Sequence, residues 1–109
     1  MKTSAKVEAS SAMIPSDVER FVARRFEASD RVEALALLRA AVIHDGSPAQ
    51  PRLLRCAAVA SAGSIERLRM EVESLKRDYR DVIVEGECER RGREFVKVRD
   101  LNEPISDEA

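Results

Sequence analysis

Val18, Phe21, Val22 and Phe26 recur at spacings of three and four. A helix gathers such positions on one stripe and turns Glu19, Arg20, Arg24 and Glu27 outward. Ser16-Asp17-Val18-Glu19, just after Pro15, has the S-x-x-E form of a capping box, in which Ser16 and Glu19 can each satisfy an orphan backbone N–H. The first helix is therefore predicted from Ser16 to near Ala28. Ser29 and Asp30 supply a second N-cap, and the following RVEALALLRAAVI is apolar around most of its circumference, which predicts a central helix with Leu35, Leu38 and Val42 in the core. His44-Asp45-Gly46 should end it, with Gly46 at the left-handed C′ position and His44 against the negative end of the helix dipole.

The linker from Gly46 to Pro51 carries two prolines, either of which suits the first turn of a third helix. Leu53, Leu54, Ala57, Ala58 and Ser61 form its stripe, and the small side chains of CAAVASA allow a neighbouring helix to approach closely. Gly63 and Ser64 then give a C′ residue and an N-cap. Ile65, Leu68, Val72, Leu75 and Tyr79 make the cleanest amphipathic pattern in the chain, with Glu73 and Arg77 as an outward i, i+4 pair. Beyond Tyr79 the pattern divides. Asp81 can cap a fifth helix through about Arg90, or Val82, Val84, Gly86 and Cys88 can alternate as a strand paired with Phe95 to Val98 across Arg90 to Arg93. Periodicity slightly favours the hairpin, because Val-Ile-Val is β-branched and Gly86 is poor inside a helix.

DYRDVIVEGEC at 78–88 with VRDLNEP at 98–104 resembles the C-terminal end of short bacterial helical proteins with no assigned activity. The resemblance implies the helical alternative, with Arg93 to Ile105 running extended over the surface, and implies no function. At an offset of thirty-three residues Phe21 matches Leu54, Phe26 matches Val59, Val32 matches Ile65, Leu35 matches Leu68 and Val42 matches Leu75, although Leu38 opposite Glu71 breaks the series. The expected fold is all-α: a bundle of four to five helices in two stacked hairpins, of HEAT-repeat type, with an extended C-terminal segment. Residues 15–105 form the domain, 1–14 a disordered segment and 106–109 a mobile acidic tail.

Composition narrows function mainly by exclusion. The 19 basic and 20 acidic side chains nearly cancel, leaving no global field to gather phosphates. Ala34 to Ile43 is the most apolar stretch, about half of the roughly 20 residues a membrane span needs. No secretory leader is apparent at the start, and a cytoplasmic protein is expected. Cys56 and Cys88 lack a CxxC partner and read as free thiols. With His44 they would make a poor zinc set, since structural sites draw on close ligand pairs.

One imidazole, no Gly-rich phosphate loop and no dinucleotide fingerprint leave no catalytic constellation, metal or cofactor to expect. Glu85, Glu87 and Glu89 share a face only on a strand and read as solvated on a helix. A helix-turn-helix around Ala62-Gly63-Ser64 fits poorly, because Arg69 falls where an apolar anchor is needed. The residual candidate is a basic cluster, Arg90, Arg91, Arg93, Lys97 and Arg99, interleaved with Glu87, Glu89 and Glu94. A non-enzymatic protein-interaction or regulatory role is the leading expectation, with another protein, acidic where it meets the cluster, as partner. A small nucleic-acid-binding regulator using the same cluster is the runner-up.

Overall fold

The computed structural model describes residues 13–106. The expected segments 1–14 and 106–109 therefore fall almost wholly outside the described residues. Among the described residues, four helices are followed by a two-stranded antiparallel hairpin: α1 (Ser16–Arg25), α2 (Arg31–Arg39), α3 (Pro51–Ser61), α4 (Ile65–Glu87), β1 (Cys88–Arg91) and β2 (Glu94–Lys97), with a 3-10 turn at Ala28–Asp30 before α2.

Two elements set the architecture. α3 lies against α4, and the stripe Leu53, Leu54, Ala57, Ala58 and Ser61 is buried against Ile65, Leu68, Val72 and Leu75. Each buried leucine contributes about 2 kcal/mol by removal from water. Val18, Phe21, Val22 and Phe26 of the first segment close over this pair. The connection between α3 and α4 is tight because Ala62 and Gly63 both adopt positive φ, and Ser64 caps α4 by accepting the Arg67 N–H at 3.2 Å. A side chain at position 63 would run into the Arg25 carbonyl, so glycine is required there for space as well as for conformation.

The all-α expectation is overturned by the hairpin, and the repeat reading goes with it. Val32 is 79% exposed where its supposed counterpart Ile65 is buried, and Leu35 is half-buried where Leu68 is fully buried. α1 and α2 are ten and nine residues long, against eleven and twenty-three for α3 and α4. The two halves are thus not equivalent helical pairs. α2 is also not the central helix, since it buries only Ala34 and Leu38 and ends at Arg39. Leu35 and Val42 are half-buried. The chain from Ala41 is already extended, bridging Val42 to Pro48, and His44 to Gly46 belong to the turn between them. His44 is exposed there and stacks on Tyr79 at 6.4 Å rather than facing a helix end.

The capping box also fails. Pro15 occupies the N-cap of α1, no side chain caps the helix, and Ser16 is already inside it. Glu73 bonds Lys76 and Arg77 bonds Ser74, so the expected Glu73–Arg77 pair is not made.

Beyond Tyr79 both alternatives are partly realised, in sequence rather than in competition. α4 breaks at Asp78, whose backbone is extended (φ −161°, ψ 98°) and whose carboxylate accepts the Arg80 N–H, so the helix restarts three residues before Asp81. It then continues to Glu87. On a helix Val82 and Gly86 are one turn apart, and both are buried, Gly86 directly against Cys56 of α3. The alternation of Val82, Val84, Gly86 and Cys88 is therefore incidental. The hairpin follows in the register Cys88↔Lys97, Arg90↔Phe95 and Arg91↔Glu94, turning through Gly92 (φ 66°) and Arg93.

Candidate functional site

Two ion pairs, each built on a buried carboxylate, tie the C-terminal segment to the helices. Arg52 and Arg55 lie one turn apart on α3, a spacing that puts both on one side of an otherwise small and apolar helix. Arg52 makes a bidentate pair with Glu87, both contacts at 2.8 Å, and Arg55 makes one with Asp17 at 2.9 and 3.2 Å. Each carboxylate also accepts a backbone N–H from the C-terminal segment: Leu101 on Glu87 and Ile105 on Asp17, both at 3.0 Å. Leu101 and Ile105 are consequently buried, and the expected surface course of Arg93 to Ile105 is replaced by a strand followed by a pinned strap.

Glu87 is 2% exposed. The Arg52 guanidinium, together with Leu101 N–H and the Lys97 ammonium at 3.6 Å, outweighs its burial and holds the carboxyl below the usual carboxylate range. Burial raises the Asp17 pKa, and the Arg55 and Ile105 hydrogen bonds more than offset it, so this carboxyl is also held low. Cys56 lies beside Glu87 at 3.9 Å, and burial followed by the Glu87 charge pushes its thiol up to about 12. A thiol in that setting stays protonated and inert. Both cysteines are free.

The basic cluster is divided by this arrangement. Lys97 turns to Glu87 and Asp100, and Arg99 donates to the Gly86 carbonyl at 2.7 Å, where it satisfies an orphan group at the end of α4. Arg91 pairs with Glu89 at 3.5 Å. Arg90 lies over the Phe95 ring at 5.7 Å and donates to the Gly92 carbonyl. Arg90 and Arg93 are exposed and have no carboxylate partner among the described residues.

Beside the hairpin, the break at Asp78 opens a groove of about 600 Å³ between the two arms of α4. Met70, Glu71 and Ser74 line it from the first arm, Asp81, Val84 and Glu85 from the second, and Cys88 and Phe95 from the hairpin. Met70 and Phe95 are exposed to 66% and 60%, large apolar side chains standing at a cleft that also holds three carboxyls. Glu71 is only 8% exposed, and another carboxyl, Glu85, lines the groove beside it. Burial, then the Glu85 hydrogen bond and charge, push the Glu71 carboxyl up to about 7, with Arg67 pulling the other way. Two such neighbouring carboxyls can together hold a cation. No imidazole or lysine lines the groove.

The sequence reading did not single out Glu71, Met70, Arg52, Arg55 or Asp17, and it treated Glu87 as solvated. The available sign was the scarcity of charge on α3, where two arginines one turn apart require partners. Among the described residues, no group of three or more His, Cys, Asp or Glu side chains is placed to hold a metal ion, and no helix is long and apolar enough to cross a membrane. Comparison of the chain with family models, curated proteins and solved structures returns no match.

Proposed function

We propose that this chain works by binding another protein, without catalysis, through the face where the broken α4 meets the β-hairpin. The observation that carries this reading is the exposure of Met70 and Phe95 along one groove that Glu71 and Glu85 also line. Exposed apolar anchors beside uncompensated charge are the chemistry of a recognition surface, where burial of the anchors gives affinity and the charges select the partner. Free thiols at Cys56 and Cys88 suit a reducing compartment, and the cytoplasm is the proposed site of action.

The division of the basic cluster weighs against the nucleic-acid alternative. With Lys97 and Arg99 directed to Glu87 and Gly86, only Arg90 and Arg93 are left for phosphates, next to a groove lined by three carboxylates. The test is purification of a tagged copy from its native cell, beside a Met70→Ser/Phe95→Ser variant of matched stability. Wild type should retain a protein in stoichiometric amount that the variant loses, and oligonucleotides should show no salt-sensitive shift. Retention of nucleic acid, or of the same protein by both forms, would contradict the proposal.

A further inference from the structure

The groove and the hairpin tip carry opposite and individually uncompensated charges on one face. On one side are Glu71, Asp81 and Glu85, with no cation in salt-bridge contact with Glu71 or Glu85. On the other are Arg90 and Arg93, with no carboxylate in salt-bridge contact among the described residues, Glu89 being turned to Arg91. Between them stands the exposed Phe95, which lines the groove and lies under Arg90, while the exposed Met70 borders Arg69 and Arg77 on the first arm. Arg90 and Phe95 are paired across the hairpin, and Phe95 lines the groove, so the acidic, apolar and basic regions are contiguous.

A patch with an acidic end, an apolar middle and a basic end is complementary to itself across a two-fold axis. Acid then faces base twice, and the apolar side chains meet near the axis. The net charge of −1 sets no general repulsion against such pairing. We infer that the partner of this face is a second copy of the same chain, whose Arg90 and Arg93 enter the groove formed by Glu71, Asp81 and Glu85 while the Phe95 rings of the two copies pack together. This rests on the protein-binding reading of the face and specifies the partner. Arginine is well suited to the role, because its planar fork can bridge two adjacent carboxylates.

Entry of a guanidinium favours the ionised form of Glu71, so association releases the proton that Glu71 holds. The other groups facing Glu71 and Glu85 are Asp81 and Cys88 in the groove and Arg67 on the preceding turn. Because the ionised fraction of Glu71 rises through about pH 7, self-association should strengthen from pH 6 to pH 8, by up to about tenfold for each groove.

Sedimentation equilibrium of the full chain, with two exposed charge-swap variants, tests this. Wild type should be a reversible dimer. Asp81→Lys/Glu85→Lys and Arg90→Glu/Arg93→Glu should each weaken association by about tenfold or more, because each turns both contacts repulsive. An equimolar mixture of the two variants should restore a heterodimer, since the basic groove of one then meets the acidic tip of the other. Circular dichroism of each variant checks that the fold is intact, and all four substituted side chains are exposed. A wild type that stays monomeric up to about 500 µM, far above the range of a specific interface, would overturn the inference. So would a mixture that fails to associate. If, in either case, the tagged wild type still captures a different protein through Met70 and Phe95, the protein-binding reading stands and only the identity of the partner is wrong.

Discussion

Replacing Gly86 by alanine sets two magnitudes against each other. Gly86 lies inside the second arm of α4, and by helix propensity alone Gly86→Ala should stabilise the protein by about 1 kcal/mol. In the fold, a Cβ at this position would lie 2.6 Å from the Cys56 Cα and 2.8 Å from both the Cys56 Cβ and carbonyl oxygen. Those atoms belong mostly to the backbone of α3 and cannot rotate away, so α3 and α4 must separate. Overpacking costs about 1–3 kcal/mol and occasionally more, and an overlap with backbone belongs at the upper end. The net expectation is a loss of about 2 kcal/mol. It should also weaken the Arg52–Glu87 pair, which spans the same crossing. Urea unfolding followed by circular dichroism gives the number directly, with an unchanged slope showing that the unfolded state is the same. Cys56→Ala should not rescue the variant, because the obstructing atoms remain in alanine. A Gly86→Ala protein more stable than wild type would refute the close crossing of α3 and α4.

Glu87→Gln removes the charge from a pair whose carboxylate is buried and whose guanidinium is 34% exposed, and should destabilise by about 1–3 kcal/mol in the same urea assay, because Arg52 and the Leu101 N–H lose a charged acceptor. Glu87 and Asp17 both have lowered pKa values in the fold, so their contributions are full above their unfolded values and are lost as pH falls, below about pH 4. Glu71 acts in the opposite sense. Its raised pKa means that the folded form holds the proton more tightly, so stability falls as pH rises from about 4.5 to about 7. Glu71→Gln should abolish that decline and gain about 1–3 kcal/mol at pH 8, a comparison made by urea melts at pH 5 and pH 8. Leu38→Ala should cost about 2–5 kcal/mol because Leu38 is fully buried, whereas the half-buried Leu35 should cost about 1 kcal/mol on the same substitution, both read from denaturant midpoints.

The helical part of the fold was legible where burial follows one stripe for several turns. Leu53 to Ser61 and Ile65 to Leu75 lie where their periodicity places them, and the Gly63-Ser64 junction works as its residue types suggest. Apolar density misled in α2. Val32 and Ala36 are solvent-facing, and a short helix rich in alanine and leucine need not be central when the longer α3 and α4 supply the core. The α4 break at Asp78 shifted every expectation after it, because the same aspartate that can cap a helix also interrupts one when the following turn restarts. Gly86 was read as evidence against a helix because its propensity is visible in the sequence and its contact with Cys56 is not.

The candidate site was less legible, for a related reason. The acidic groove joins Glu71 to Glu85 across fourteen positions, and only the break between them brings the two carboxyls together. The pairs Arg52–Glu87 and Arg55–Asp17 are separated by thirty-five and thirty-eight residues, beyond any local pattern. Arg90 and Arg93 were identified as candidates from charge alone, but which members of the basic cluster stay available depended on where Glu87 sits.

The central claim is that the α4–hairpin face is where this chain meets a protein. The most direct measurement places a photo-crosslinking amino acid at position 95, on that face, and in a separate copy at position 20, on the exposed side of α1, and irradiates each in the native cell. The account predicts a discrete protein adduct from position 95, whether with a second copy or with another chain, and no comparable adduct from position 20. Equal labelling at the two positions, or adducts with nucleic acid alone from position 95, would contradict it.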